Sequence, residues 1–240
     1  MPVRIGTAGW SVPADAGAAF PGEGTHLQRY AAVLDCVEIN SSFYRGHRVQ
    51  TYERWAASTP AGFRFAVKLP RQITHAGRLK GADALLAQFA AEAGGLGRKW
   101  AVTLVQLPPS LALDAGSAVP FFEQLHAVFG GVVVCEPRHR SWFTPQAEQL
   151  LRGCEVARAG ADPARFDTAA EPGGWLERVA YFRWHGSPRI YRSRYGEGWL
   201  GERARALQAL APGVEAWCIF DNTAAGAALP NALQLRADLA

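Results

Sequence analysis

The sequence predicts an α/β protein, a single (β/α)8 TIM-type barrel with an irregular sixth βα unit, and three observations support that reading. Eight short β-rich runs alternate with stretches of helical apolar spacing from one end of the chain to the other. Strands separated by helices pair in parallel through crossover connections, and eight such units in about 250 residues fit a closed barrel better than an open sheet. Polar residues gather where the strand candidates end, which is where barrels of this kind build their sites. A doubly wound sheet is the competing fold, but Gly6-Thr7-Ala8-Gly9-Trp10 after the first strand lacks the full G-x-G-x-x-G spacing of a dinucleotide-binding turn.

The elements follow in order. Strands are expected at Val3–Gly9, Cys36–Phe43, Phe63–Leu69, Trp100–Leu107, Val132–Pro137, Val156–Ala161, Val179–His185 and Ala216–Asp221. Helical apolar spacing runs through His26–Leu34, Val49–Ala57, Asp83–Leu96, Ala118–Phe129, Pro145–Leu151, Glu202–Leu210 and Ala224–Leu235. The sixth connection, residues 162–177, holds Pro163, Pro172, Gly173 and Gly174, so it reads as a loop with at most a helical turn.

The 240 residues are 49% hydrophobic and 19% charged, enough apolar material for one large core without a disulfide or metal staple. One domain over residues 1–240 is expected, since no repeat, low-complexity segment or linker interrupts the chain. After Met1-Pro2-Val3-Arg4 only a few apolar residues precede Ser11 and Asp15, and no apolar run approaches about 18 residues, so a cytoplasmic protein without a membrane partner is expected. Cys36, Cys135, Cys154 and Cys218 are far apart, lie in or beside apolar runs and form no C-x-x-C pair; they read as reduced buried thiols. The net charge of +4 is carried by arginine, with Lys68, Lys80 and Lys99 the only lysines among 25 basic residues. An excess that small reads first as a solvated surface, although it suits an anionic ligand or nucleic acid.

Period-two alternation assigns the strand-end side chains to faces. It points Val37 and Ile39 outward toward helices and Glu38 and Asn40 inward; Phe65 and Val67 point outward and Lys68 inward. Gln106 ends the fourth strand, Glu136 and Arg138 share a face of the fifth, Arg183 and His185 share a face of the seventh, and Asp221 and Asn222 end the eighth. Six strands thus finish in groups able to bind or react.

These strings, in this order and spacing, resemble a known family. They are Gly6-Thr7-Ala8-Gly9-Trp10-Ser11, Val37-Glu38-Ile39-Asn40-Ser41-Ser42-Phe43-Tyr44-Arg45, Val67-Lys68 with Thr74-His75, and Gln106-Leu107-Pro108-Pro109-Ser110. Glu136-Pro137-Arg138-His139 with Ser141-Trp142, Arg183-Trp184-His185-Gly186 with Tyr191 and Tyr195, and Phe220-Asp221-Asn222-Thr223 with Asn231-Ala232 complete the set. The chain is similar over nearly its whole length to the YecE-like barrels, domain-of-unknown-function family seventy-two. That resemblance implies a barrel with its site at the strand ends and brings no activity with it.

The chemistry is therefore argued from the groups. Glu38 and Glu136, from strands that face one another across a small barrel, are candidates for general acid and base, with the plainer alternative that each is an ion-pair partner, Glu38 of Lys68 and Glu136 of Arg138. Lys68 stands out in a chain that almost never uses lysine, as a compact ammonium whose pKa can be tuned, and with Arg183 it is a candidate electrostatic stabiliser. His185 is a candidate proton carrier. No H-E-x-x-H or other dense metal signature is present, so no metal ligands are assigned, although two carboxylates and a histidine from different strands could still assemble a metal site in three dimensions; the sequence leaves the cofactor open. Asn40, Tyr44, Arg45, His75, Gln106, Arg138, His139, Trp142, Arg183, Tyr191, Tyr195, Asp221 and Asn222 are the substrate-binding candidates, each ring with loop packing as its plainer role. The expected function is an enzyme of hydrolase or lyase type acting on an anionic, phosphate-containing small molecule or nucleotide-like substrate. The alternative is a non-catalytic nucleic-acid-binding protein that uses the Arg- and Tyr-rich stretch Ser187–Tyr195.

Overall fold

The computed structural model describes residues 3–13, 16 and 19–240; Met1, Pro2 and Asp15 of the N-terminal reading lie outside them. Strand β1 (Val3–Thr7) leads to helix α1 (His26–Ala31), β2 (Cys36–Ile39) to α2 (Val49–Ala57), and β3 (Arg64–Lys68) to α3 (Asp83–Ala93). Next, β4 (Trp100–Gln106) leads to α4 (Ala115–Val128) and β5 (Val132–Glu136) to α5 (Pro145–Gly153). The short strands β6 (Val156–Arg158), β7 (Gly160–Asp162) and β8 (Gly173–Gly174) follow, then β9 (Val179–Trp184) with α6 (Glu197–Gln208) and β10 (Glu215–Phe220) with α7 (Ala228–Asp238).

Helix starts are fixed by local chemistry. Thr25 and Gln28 form a reciprocal capping box at α1, Asp114 caps α4 by accepting from Gly116, and Thr144 caps α5 with Pro145 opening the helix.

The fold is α/β, with two β-sheets and flanking helices. One sheet has four strands in the order β1-β10-β9-β7 and the other six in the order β2-β3-β4-β5-β6-β8. Every strand pair is parallel except β6 with β8. The sheets meet in two places. Ala8 bridges Glu38 in parallel, with the Gly9 N–H donating to the Glu38 carbonyl at 2.9 Å. At the other, the chain passes from β6, paired on β5, to β7, paired on β9, while the Ala159 N–H still donates to the Cys135 carbonyl at 2.8 Å.

That second junction explains why the expected strand Val156–Ala161 is divided: its two halves serve different sheets. The connection after β7 holds only a 3-10 turn at Asp167–Ala169 and no α-helix, in keeping with its prolines and glycines. The second strand stops at Ile39, short of the expected Phe43. There the chain turns into a 3-10 segment at Ser41–Phe43, because the Ser42 hydroxyl binds the carbonyls of Ile39 at 2.9 Å and Lys68 at 2.6 Å.

Alternation sorts the buried apolar side chains into two layers. Val37, Ile39, Phe65, Val67, Val133, Cys135, Phe182, Trp184 and Phe220 belong to the cluster that packs against the helices. Ala66, Val102, Leu104, Val132, Val134, Val179, Tyr181, Trp217 and Ile219 form a second cluster, to which both sheets contribute their other face. The three fully buried cysteines are unpaired thiols, and Cys154 is half-buried. Among the described residues, no helix is long and apolar enough to cross a membrane.

Gly6, on β1, lies where β1 approaches β2. A Cβ there would sit 2.3 Å from the Cys36 carbonyl oxygen and 2.9 Å from its Sγ. Gly6→Ala is expected to lower stability by about 1–3 kcal/mol through overpacking, read as a lower urea midpoint at unchanged m-value. An unchanged midpoint would mean that the strands separate there without cost.

Candidate functional site

The polar candidates continue the inner face of the strands past the second apolar cluster. On β9 the alternation Val179, Tyr181, Arg183 runs from that cluster into a layer of charge, and His185 follows two residues on. The same step leads from Cys36 to Glu38 on β2, from Ala66 to Lys68 on β3, from Val134 to Glu136 on β5, and from Ile219 to Asp221 beyond β10.

Arg183 is the centre of this layer, and it is wholly buried. Its Nε and Nη2 fork onto Glu38 at 2.9 and 2.6 Å, its Nη1 donates to Glu136 at 2.6 Å, and its Nη2 also reaches Asp221 at 3.0 Å. The planar guanidinium carries five donors in a fixed geometry, which lets one cation serve three carboxylates. Tyr181, one turn of the pleat below, donates its hydroxyl to Glu38 at 3.0 Å. Both Glu38 oxygens are therefore engaged, and the residue has no exposed surface. Burial opposes the charge of Arg183, but Glu38, Glu136 and Asp221 outweigh it and hold the guanidinium well above its ordinary value.

His185 lies above Arg183 between two carboxylates, with Nδ1 3.0 Å from Asp221 and Nε2 3.3 Å from Glu136. Only the doubly protonated ring can donate to both. Burial pulls its pKa down, but the bonds to Asp221 and Glu136 prevail and raise it above 6.5. Burial raises Glu136, yet Arg183 and Arg138 hold it well below 4.5; burial likewise opposes Asp221, which Arg183 and His185 hold below 3.8. Arg138 donates to Glu136 at 3.1 Å, the pair expected from sequence.

Lys68 does not pair with Glu38, which Arg183 already occupies. Among the described residues it has no ion-pair or hydrogen-bond partner for its Nζ, which sits 4.2 Å from the centre of the Phe43 ring. Burial first, then the nearby Arg183, lower its pKa to about 8 against the opposing pull of the carboxylates. Burial first, then the charges of Lys68, Arg138 and Arg71, lower His75.

A cavity of about 90 Å³ opens beside this layer, lined by Glu136, Arg138, Arg165, His185, Ile190 and Tyr191. Tyr191 sets its ring edge-on to His185 at 5.7 Å. Tyr44 and Arg45, in the segment after β2, are exposed, Tyr44 at 73%. Gln106 is buried at the end of β4, and Asn40 is half-buried beyond β2.

Other candidates pack loops. Trp142 is buried and donates its indole N–H to the Leu111 carbonyl at 2.9 Å, while His139 caps the following 3-10 turn by accepting from Ser141. Tyr195 stacks on Trp199 at 3.9 Å and bonds to Asp162 at 2.6 Å; Asn222 and Asn231 bind one another and the backbone of Ser193 and Tyr195. These groups fix the segment after β9. Tyr181 and Asp162 were absent from the sequence-derived set, although Tyr181 falls on the same alternation as Arg183 and His185. Among the described residues no three His, Cys, Asp or Glu side chains are placed to hold a metal ion.

Comparison with known proteins bears on this arrangement. Residues 4–240 match the family described as "Protein of unknown function DUF72". The UPF0759 protein YecE of Escherichia coli strain K12 is 30% identical over 132 residues, 54% of this chain and 48% of that protein. The UPF0759 protein YunF of Bacillus subtilis strain 168 is 28% identical over 154 residues, 60% of this chain and 53% of that protein. The chain spans about half the length of the curated relatives it matches. A crystal structure of a DUF72 family protein from Thermotoga maritima superposes with a TM-score of 0.80 at 25% identity, covering 100% of this chain and 99% of that one. Another, from Enterococcus faecalis, gives 0.81 at 19% identity over 99% and 95%, a likeness of fold alone. The resemblance read from the strand-end strings is thus established.

Removing Arg183 strands three buried carboxylates, so Arg183→Met is expected to cost about 3–5 kcal/mol in urea unfolding. A loss below about 1 kcal/mol would mean that the carboxylates are hydrated or protonated. The pH dependence has two limbs. Glu136 and Asp221, depressed on folding, stabilise above their ordinary values of 4.5 and 3.8 and lose that contribution as pH falls through their folded values. His185, raised on folding, contributes fully below 6.5 and loses its share as pH rises through its folded value. Lys68, depressed to about 8, is relieved above that pH, so the alkaline limb is best read as a difference from His185→Asn. The wild-type advantage in thermal midpoint is expected to shrink as pH rises from 6 to 9; a constant difference would mean a neutral imidazole.

Proposed function

The chain belongs to the DUF72 family of proteins of unknown function, and we propose that it is an enzyme of hydrolase or lyase type acting on an anionic, phosphate-containing small molecule. In this reading the two sheets form one closed (β/α)8 barrel, and the charged layer is its mouth at the carboxyl ends of the strands. The observation that carries the reading is an unpaired cation. Arg183, Arg138 and His185 are engaged with Glu38, Glu136 and Asp221, and among the described residues Lys68 makes no ion pair. A mostly buried cation in that position favours an arriving anion, and Arg138 and Arg165 on the wall of the cavity extend the same preference.

The roles divide by accessibility. Glu38 and Arg183 are sealed and act as positioning residues, holding Glu136, Asp221 and His185 in register. Glu136 and His185 border the cavity and are the acid–base pair: His185 delivers a proton, and Glu136 supports the imidazolium or takes a proton in turn. Asp221 fixes the ring by its bond to Nδ1. Lys68 and Arg138 attract the anion.

A second reading has an observation of its own. Tyr44, Ile190 and Tyr191 are 73%, 51% and 42% exposed at the rim, where Arg45, Arg189 and Arg192 are also exposed, a surface on which unstacked bases could rest.

Thermal-shift titration separates the two. With sugar phosphates, a shift is expected that Lys68→Met and Glu136→Gln abolish while Tyr44→Ala leaves it in place. A shift given instead by a single-stranded oligonucleotide, lost in Tyr44→Ala and falling steeply with salt, would favour the binding protein over the enzyme.

A further inference from the structure

We propose that the Lys68 amine is a nucleophile that attacks a carbonyl carbon of the substrate and holds it as an imine. The proposal deepens the reading above, since it rests on an anionic substrate reaching the charged layer, and it specifies the reacting group as an aldehyde or ketone.

Four features place this chemistry on Lys68. Position comes first: it ends β3 on the same face as Glu38, Glu136 and Arg183, so it belongs to the charged layer and not to the outer surface. Partners come second. Arg183 occupies both oxygens of Glu38 and one of Glu136, Arg138 and His185 share the other Glu136 oxygen, Arg183 and His185 share one oxygen of Asp221, and among the described residues Lys68 makes no ion pair. The guanidinium cannot give up its proton, so it takes the carboxylates permanently and leaves the amine the freedom to lose one. Surroundings come third: Nζ rests over Phe43, an aromatic face that accepts no hydrogen bond in the lone-pair sense and offers no carboxylate to fix the proton. Its lowered pKa, about 8, is the expected result of burial beside Arg183 and gives a substantial neutral fraction near neutrality. The fourth feature is use. Only three lysines occur in the chain, Lys80 is exposed, and Lys99 spends its three donors on the Ala56 and Thr59 carbonyls and the Thr59 hydroxyl.

The step balances without an added oxidant or reductant. The neutral Nζ forms a bond to the carbonyl carbon as the C=O π pair moves onto oxygen, and one nitrogen proton passes to that oxygen to give a carbinolamine. Loss of the hydroxyl as water, with a proton delivered from the His185 imidazolium while the nitrogen lone pair forms C=N, leaves a protonated imine. The protonated imine then withdraws electrons from the adjacent carbon, so that a proton removed or a carbon–carbon bond broken there is the reaction such a site serves. Glu38, Glu136, Asp221, Arg183, Arg138 and His75 are the charged or titratable groups that bear on the amine or its immediate neighbours.

Reductive trapping tests this directly, because all three lysines can be followed in one peptide map. The folded protein is incubated at pH 8 with sodium cyanoborohydride and either glyceraldehyde 3-phosphate or glyceraldehyde, and adducts are located by mass spectrometry. The expected result is about ten-fold more adduct on Lys68 than on Lys80: an amine with a value near 8 has a neutral fraction about a hundred-fold that of an ordinary lysine at pH 8, and the lower nucleophilicity of the less basic amine offsets part of that gain. The total Lys68 adduct should fall as pH falls to 6, the preference for Lys68 should shrink as pH rises past about 10, where an ordinary lysine also becomes neutral, and Lys68→Arg should lose only that adduct. Equal or greater labelling of Lys80 overturns the proposal, and since it is read on wild-type protein, misfolding of a variant does not obscure it. Equal labelling of Lys68 by both aldehydes keeps the nucleophile and defeats the anionic-substrate reading. A thermal shift with sugar phosphates and no Lys68 adduct keeps that reading and defeats the nucleophile.

Discussion

The arrangement at the strand ends depends on one buried guanidinium. Placing Glu38, Glu136 and Asp221 close together away from water is strongly unfavourable unless a cation with several directed donors joins them, and Arg183 does so with four hydrogen bonds. Lysine could not replace it, because an ammonium lacks the planar fork that grips Glu38 by both oxygens. Once Arg183 is in place, the other charges are constrained in turn. His185 bridges Asp221 and Glu136, Arg138 closes over Glu136, and among the described residues Lys68 is left without an ion-pair partner.

The position of Arg183 is set by the strand on which it lies. β9 is flanked by β10 and β7, both parallel to it, and all six of its residues are buried. Its outer face, with Phe182 and Trp184, is wedged against helices, while Tyr181 stacks with Trp217 at 6.0 Å within the inner cluster. The guanidinium is therefore mounted on a strand that has little freedom to shift. Polar groups supported this way stay aligned without reorganising when a ligand arrives, which is the condition for strong electrostatic stabilisation.

Much of this was legible in the sequence because strand alternation is a local rule. Glu38, Lys68, Glu136, Arg183 and His185 fall inward by counting residues in twos, and Phe65, Phe182 and Trp184 fall outward by the same count. Tyr181 was within reach of that rule, one step before Arg183. Glu136 and Arg138, two residues apart, were legible as a pair, but pairing between strands was not, since the distances between β2, β5, β9 and the end of β10 are set by tertiary packing; the expected Glu38–Lys68 pair gave way to Glu38–Arg183 for that reason. The loop aromatics were ambiguous for a related cause. Trp142 and Tyr195 carry polar handles that find backbone or carboxylate partners inside the loops, and composition cannot distinguish such a ring from one that waits for a ligand. The division of Val156–Ala161 was hidden because its halves look alike in sequence and differ only in their neighbours.

The segment between β7 and β9 gives the molecule an asymmetric architecture. Where other units place a helix, this one has a 3-10 turn and the two-residue strand β8, tied down through Arg158, which reaches Glu148 and the carbonyls of Thr168 and Glu171. Pro163, Arg165 and Ala169 of this segment line the cavity, yet none of them belongs to the inner apolar cluster. One flank of the cavity is thus anchored by Arg158 and not by apolar packing. Exchanges along that wall would reshape the opening while the carboxylate partners of Arg183 keep their places.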